Sequence, residues 1–347
     1  MSNTPTVPTP ASAADDPLLR SAMQRAIDLA RRGWGRVAPN PLVGAVVVSE
    51  RLVVGDGWHA EFGGDHAEIV ALRKAGERAR EATLIVTLEP CAHQGKTPPC
   101  VDAIRAAGIS RVVVAVRDPD RAARGGADVL RSAGIVVETG VMADAAAALI
   151  APFLFAREQP TRPFLALKLA TSIDARIADA GGRSQWISGP QAQSWTHWLR
   201  AGFDAVAIGA ETARRDDPLL TVRGGIVPRR PPVRVVFDRR AALSPEAKLV
   251  RTAGDTPTWV VASEEAPAAN VKALETCGVR VFRPRSLEQG LALLREAGIE
   301  SLLCEGGGAL GVGLLADGLV DRLYWLQAPV WLGAGGVLAF PGVSDAS

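Results

Sequence analysis

Residues 83–107 read TLIVTLEPCAHQGKTPPCVDAIRAA. Thr83–Leu88 has the pattern of a buried strand, a loop rich in Gly and Pro follows, and a helix is predicted near Val101–Ala107. Working outward, Asp15-Asp16-Pro17 is a helix start, with Asp able to cap and Pro suited to the first turn. Leu19, Met23, Ala26, Ile27 and Ala30 recur at helical spacing, and Gly33 can end that helix. Leu42–Val48 and Leu52–Val54 read as a hairpin, and a helix is expected from about His66 to Arg80. Strand Arg111–Val116, helix Asp128–Ala133 and strand Ile135–Glu138 complete the unit. Alternating strands and helices predict a three-layer α/β/α domain.

The chain has 347 residues, a length that favours two domains because single cores rarely grow beyond about 250–300 residues. We expect a disordered Pro/Ser/Thr tail over 1–14, a first domain over 15–145, a connecting helix and linker over 146–163, and a second domain over 164–347. In the second half the rhythm restarts. Strands are predicted at Phe164–Ala170, Ala205–Ile208, Val233–Phe237, Thr258–Ala262, Val279–Phe282, Ser301–Cys304 and Leu323–Ala328. Helices fit Pro190–Leu199, Asn270–Thr276, Leu287–Ala297 and Ala309–Ala316.

Composition narrows the function classes. Lys+Arg 39 against Asp+Glu 37 leaves a formal +2, without the basic field that holds a polynucleotide or membrane surface. The longest apolar run, Ala145–Ala156, is too short to span a bilayer, and residues 1–14 lack the basic and apolar regions of a secretory signal. A soluble cytoplasmic protein is expected. Four Cys in so long a chain are not a disulfide scaffold, but they can form a metal site.

His66, Cys91 and Cys100 supply three ligands for tetrahedral zinc and leave a fourth position for water. Both thiolates are expected near helix N-termini, whose dipole favours the ionised form. Glu68 is spaced to move a proton from that water to a leaving amine; His-x-Glu with Pro-Cys…Cys is the zinc-deaminase pattern. Separately, His66 reads as a helix cap and the cysteines as inert core; their joint occurrence favours the catalytic site. A structural zinc needs a fourth protein ligand, for which His93 is the nearby candidate. His59 reads as a surface or pocket-lining residue as readily as a catalytic one. In the second half, Cys304-Glu305-Gly306-Gly307-Gly308 joins a strand to a helix, where glycines let backbone N–H groups approach a phosphate. A Gly triplet also serves simple tight turns.

The stretch Pro90-Cys91-x-His93-x-Gly95-x-Thr97-Pro98-Pro99-Cys100, with Ala38-Pro39-Asn40-Pro41-x-Val43-Gly44 and His66-Ala67-Glu68, resembles the bifunctional deaminase/reductase of riboflavin biosynthesis, the RibD family. The resemblance runs from about Asp16 to Gly342. Lys168-x-Ala170-x-Ser172-x-Asp174, Ser184-x-Trp186, Asp216-Asp217-Pro218 and Glu305-Gly306-Gly307 look like its reductase half. It implies a cytidine-deaminase-like α/β/α domain followed by a dihydrofolate-reductase-like α/β domain, with Zn²⁺ and NADPH as cofactors. The implied substrate is a phosphorylated diaminopyrimidinone, which is deaminated and then reduced at its ribosyl arm; a deaminase-only enzyme with an inactive second domain is the alternative.

By the same resemblance His66, Cys91 and Cys100 bind zinc, Glu68 shuttles the proton and Asn40 lies beside the pyrimidine. Ala170, Trp186, Thr212, Asp216 and a Gly306–Gly313 loop (Gly306, Gly307, Gly308, Gly311, Gly313) are expected to contact NADPH. Ser184, Arg200, Leu220, Arg223 and Glu305 are expected to contact substrate, the arginines being suited to its phosphate. Lys168 or Asp216 is the expected proton source. The family also implies a homodimer formed through the reductase half.

Departures from the family pattern are local. Asp118-Pro119-Asp120-Arg121 with Gly125-Gly126 replaces Asp-Pro-Asn-Pro and a spaced Gly-x-Gly; Ala175 replaces a Gly, and Arg239 a small hydroxyl residue. The family also continues beyond Pro341-Gly342 far enough for two more strands, whose lack is expected to open a sheet edge.

Overall fold

The computed structural model describes residues 16–94, 98–120, 125–182 and 189–340. It separates into two compact units, one up to Arg157 and one from Glu158.

In the first unit α1 (Pro17–Ala30) is capped by Asp16, whose side chain accepts from the Leu18 N–H at 2.9 Å. Strands β1 (Gly44–Ser49), β2 (Leu52–Trp58), β3 (Thr83–Leu88), β4 (Arg111–Val116) and β5 (Val136–Thr139) form a sheet in the order β2-β1-β3-β4-β5. Strand β1 runs antiparallel to both its neighbours, whereas β3, β4 and β5 are mutually parallel. Strands β2 and β3 therefore end at the same edge of the sheet. One face buries Val47, Leu84, Val86 and Val112 under α2 (Ala67–Ala75), α3 (Cys100–Ala106) and α4 (Gly126–Ser132). The other buries Val46, Ile85 and Val113 under α1 and α5 (Ala143–Leu149). This is the α/β/α layering that the alternation predicts. Helix α6 (Ala151–Glu158) closes the unit, with Phe153 and Leu154 packed beside buried Leu42, Leu88 and Ile150.

Two glycines set close approaches near the sheet edge. A Cβ on Gly57 would lie 2.6 Å from the Ala67 carbonyl, so only glycine lets β2 carry the first turn of α2 this tightly. A Cβ on Gly126 would lie 1.8 Å from the Pro90 carbonyl, which presses the start of α4 against the loop after β3.

The second unit contains β6 (Phe164–Thr171), β7 (Arg176–Ala178), α7 (Pro190–Ala201), β8 (Ala205–Gly209), α8 (Ala210–Asp216), β9 (Val233–Phe237) and α9 (Lys248–Arg251). It continues with β10 (Thr258–Val261), α10 (Ala268–Thr276), β11 (Arg280–Phe282), α11 (Leu287–Glu296), β12 (Ser301–Cys304), α12 (Gly308–Ala316), β13 (Arg322–Gln327) and β14 (Val337–Leu338). Seven strands form a sheet in the order β11-β10-β9-β8-β12-β6-β13, and every pairing in it is parallel. Its inner strands are buried on both faces, as parallel sheets covered by helices require. Strand β13 is one edge among the described residues.

The short antiparallel pair β7–β14 and helix α8 have no counterpart in the sequence reading. The predicted Gly306–Gly313 loop is mostly helical, because α12 begins at Gly308.

The turn between β6 and β7 explains one departure from the family pattern. Ser172 Oγ donates to Asp174 Oδ1 at 2.7 Å, and Asp174 accepts the N–H groups of Leu332 and Gly333. Ala175 then takes φ 55°, the left-handed region that favours glycine. The Ala175→Gly substitution should therefore stabilise the second unit by about 1 kcal/mol, the cost of a left-handed L residue. Calorimetry should show a raised midpoint for that unit with the first unit's transition unmoved.

Candidate active sites

The first site forms at the shared edge where β2 and β3 end. His66 is the N-cap residue of α2 without itself capping the helix, and Glu68 lies in the first turn. Cys91 follows β3 by way of Glu89-Pro90, and Cys100 opens α3. These pieces bring His66 Nδ1 to 3.1 Å from Cys100 Sγ and 3.6 Å from Cys91 Sγ. All three ligand atoms lie within 4.8 Å of one another. Tetrahedral zinc with bonds of about 2.0 Å to nitrogen and about 2.3 Å to sulfur needs edges of roughly 3.5–3.8 Å, so the donor set fits. His93 lies outside this cluster, which leaves the structural-zinc alternative without its fourth ligand among the described residues.

Electrostatics prepare the ligands. Cys91 is pushed down to about 4, first by the hydrogen bond from Cys100 and also by that from His66. The backbone N–H of Cys100 adds a further bond to Cys91 Sγ at 3.4 Å. Cys100 moves the other way, its thiol raised by the proton it shares with Cys91 and by burial. The bond to Cys91 raises His66. Glu68 is 3% exposed, and burial raises its carboxyl above the usual range against the opposing charge of His66. A buried carboxyl beside the ligand cluster is placed both to take and to return a proton.

A cavity of about 310 Å³ opens onto these groups, lined also by Asn40, His59, Phe62, His93, Asp118, Asp120, Phe153 and Arg157. Two of its features escape the sequence reading. Helix α6, in the stretch expected to be a connector, contributes Phe153 and Arg157 to the wall. Buried Glu89 organises the floor: its carboxylate accepts the N–H groups of Asp118, Gly125 and Ala127 at 3.1, 3.2 and 2.9 Å. The departure beginning at Asp118-Pro119-Asp120 is thereby tied to the loop that carries Cys91. Residues 121–124 lie outside the described residues.

The second site lies along the carboxyl ends of the parallel strands, where open α/β sheets bind ligands. Its cavity of about 1140 Å³ exceeds the roughly 300–1,000 Å³ of drug-sized pockets and suits an extended dinucleotide. Lys168, Ala170, Thr212, Asp216, Glu305, Gly306, Gly307, Gly308 and Gly313 all line it. Gly311 does not: it faces Leu167 inside the helix–sheet packing. Register explains the convergence, since Cys304 pairs with Leu167 and so sets Glu305 level with Lys168. Thr212 Oγ1 receives the Gly307 N–H at 3.4 Å, joining the starts of α8 and α12.

Arg200 makes a fork to Glu305, Nε–Oε1 2.5 Å and Nη2–Oε2 2.8 Å, and donates to the Thr221 carbonyl at 2.9 Å. Its guanidinium is thus committed to Glu305, whereas Arg223 is exposed, with a 3.3 Å bond to Thr221 Oγ1. Leu220 is buried at φ 51°, its side chain packed into the core with Ala213 and Val236. Burial lowers Lys168 and raises Asp216, moving both toward neutrality. Ser184 and Trp186 lie outside the described residues.

Comparison with known proteins agrees with this geometry. The cytidine and deoxycytidylate deaminase zinc-binding region matches residues 18–116, and the RibD C-terminal domain matches residues 163–346. The riboflavin biosynthesis protein RibD of Aquifex aeolicus is 40% identical over 318 residues, covering 91% of this chain and 88% of the relative. The chain belongs to the RibD family. RibD of Escherichia coli is 39% identical over 336 residues, 92% of this chain and 91% of the other. The solved Acinetobacter baumannii RibD superposes with a TM-score of 0.79 at 38% identity, covering 94% and 91% of the two chains. A deaminase/reductase from Thermotoga maritima gives 0.80 at 38% identity, with the same coverage.

Both halves of the RibD architecture are present, so the chain is a bifunctional deaminase and reductase, with zinc serving the first domain and NADPH the second. The deaminase-only reading is not favoured. In the first site, Glu68→Gln should keep a full complement of zinc while deaminase turnover falls by about 10²–10⁴-fold, the usual worth of a general acid–base. Metal analysis alongside steady-state kinetics checks both halves of this expectation.

Proposed function

We propose that this RibD-family chain deaminates 2,5-diamino-6-(5-phosphoribosylamino)pyrimidin-4(3H)-one and then reduces the ribosyl arm of the uracil product to ribityl. The observation that carries this reading is the joining, in one chain, of the His66–Cys91–Cys100 cluster beside Glu68 and a dinucleotide-sized cavity flanked by Lys168 and Glu305. The Thermotoga maritima relative is described as the deaminase and reductase for these compounds.

In the deaminase, His66, Cys91 and Cys100 hold the metal and Asn40 holds the pyrimidine. Zinc, when bound, supplies the Lewis acid that lets water react at neutral pH. Glu68 takes the water's proton and delivers it to the departing amine, so that ammonia leaves as oxygen replaces nitrogen. Burial of Glu68 suits this double duty, because its raised carboxyl releases and recaptures a proton with little penalty.

In the reductase, Ala170, Thr212, Asp216 and the Gly306–Gly308 turn hold the cofactor, with Trp186 completing that set; Gly313 borders the cavity. NADPH, when bound, supplies the hydride for the ribosyl C1′. Lys168 donates the matching proton to the ring oxygen, opening the sugar, with Asp216 as the alternative donor. Glu305 keeps Lys168 oriented, and Arg200 anchors Glu305. Arg223 and Leu220 contact the substrate, Arg223 being suited to its phosphate.

We further propose a homodimer through the second unit, where β13 leaves Leu323 and Trp325 exposed on an edge strand. A cytoplasmic location suits its free thiols, and the near-neutral charge suits a small substrate rather than a polynucleotide or a membrane.

Incubating the zinc-loaded chain with the diaminopyrimidinone and identifying the products by mass tests the reading. Without NADPH the product should have exchanged an amino group for oxygen; with NADPH it should also have gained two hydrogens. An unchanged substrate in both reactions would contradict it. Lys168→Met should lower reductase kcat by about 10²-fold or more and leave deamination intact. The acid must be protonated to act and burial lowers its pKa, so wild-type reductase activity should fall on the alkaline side below the ordinary lysine range. That alkaline limb should vanish in the variant.

A further inference from the structure

His59 is 3% exposed, faces the deaminase cavity, and has no part in the chemistry derived so far. It follows β2 directly, and its backbone N–H is tied to the Val43 carbonyl at 2.9 Å. Both ring nitrogens are engaged. Nδ1 lies 3.0 Å from the Asp65 carbonyl oxygen, and Nε2 lies 3.1 Å from Asn40 Nδ2. The ring also stands edge-on to that of the metal ligand His66, centroids 5.5 Å apart.

We propose that His59 is a positioning residue for Asn40: as the neutral Nδ1–H tautomer it fixes the Asn40 amide so that its oxygen is offered to the substrate as a hydrogen-bond acceptor. The inference rests on Asn40 contacting the pyrimidine, as proposed above. A carbonyl can only accept, so the bond to Asp65 places the His59 proton on Nδ1. Neither ring partner, a carbonyl or an amide, compensates a second proton on a buried ring beside a metal-binding histidine. Nε2 therefore carries a lone pair. Facing a lone pair, Asn40 must present its NH₂; the flipped amide would set two acceptors against each other at 3.1 Å.

With Nδ2 so engaged, Oδ1 is the acceptor left to the cavity that Asn40 lines. Among the described residues no donor reaches it. The site thereby favours a pyrimidine that presents an N–H to Asn40 Oδ1 and disfavours one that turns a lone pair or a methyl group toward that oxygen. One ring, fixed by the same Asp65 that precedes the ligand His66, ties base recognition to the metal-binding turn.

The direct test is the tautomer in the zinc-loaded full chain. Histidine-selective ¹⁵N labelling with long-range ¹H–¹⁵N correlation should show His59 protonated at Nδ1 and bare at Nε2 near neutral pH. An Nε2–H tautomer or an imidazolium would overturn the proposal whether or not the chain deaminates the proposed substrate. Kinetics test the consequence through a double-mutant cycle. His59→Phe should lower deaminase kcat/KM by about 10–100-fold, as loss of an orienting hydrogen bond does at other sites. Zinc content should hold, as should reductase turnover on separately supplied uracil substrate.

In an Asn40→Ala background the same change should cost less than about twofold, and His59→Gln, whose carbonyl can accept from Asn40, should recover most of the loss. A substrate analogue methylated on the ring nitrogen should be rejected by wild type more strongly than by Asn40→Ala. Additive losses, loss of zinc in His59→Phe, or full deaminase activity in that variant would each overturn the proposal. Failure of wild type to deaminate, with the Nδ1–H tautomer observed, would instead sink the substrate assignment alone.

Discussion

A strand that must rejoin its sheet in parallel has to cross over through a helix, and such crossovers gather strand ends and helix starts along one edge. Both functional sites of this chain depend on that constraint. In the first unit the reversed strand β1 lets β2 and β3 end together, so that His66 and Glu68, entering α2, meet Cys91 and Cys100, entering α3. In the second unit the register of β6 against β12 sets Lys168 beside Glu305, while α8 and α12 start side by side through Thr212 and Gly307. Residues far apart in sequence become neighbours by topology alone.

The two sites use charge differently. The deaminase site buries its acid and shares protons among close partners: Glu68 and Cys100 are raised while Cys91 is lowered. Such a cluster is costly without a cation, since buried anions in one small space repel. Two thiolates and an imidazole around zinc resolve that cost. The reductase cavity instead spreads its charges over a long wall. The buried ion pair Arg200–Glu305 holds a carboxylate next to a partly desolvated lysine.

Much of this was legible in the sequence because the relevant signals are local. The predicted buried strands are present in the sheets, since a covered parallel strand demands an unbroken apolar run such as Leu165–Leu167 or Val112–Val114. The metal cluster was legible because its residue types are rare and its spacing distinctive. Helix α8 was not, because Ala210–Asp216 is short, charged and without a strong apolar period. Nor was the role of Arg234: the predicted strand Val233–Phe237 does not show that its buried guanidinium donates to carbonyls at Leu249, Thr252 and Thr256. Glu89 escaped for a related reason, and His59 was legible only as a candidate pocket-lining or catalytic residue, without its partners. Each acts through backbone groups or a single neighbour, a role that no spacing encodes. The glycine expected at Ala175 was a usable signal, and the positive φ there supplies its physical meaning.

Deamination at the first site requires a metal held by three protein ligands with one position left for water. X-ray absorption at the zinc edge of the purified full chain reads that coordination directly. It should report two sulfurs near 2.3 Å, one imidazole nitrogen near 2.0 Å and a fourth light atom from solvent, values of about that size being usual for zinc. A second imidazole in the fourth position, or a third sulfur, would make the zinc structural and contradict the assignment of this site to deamination.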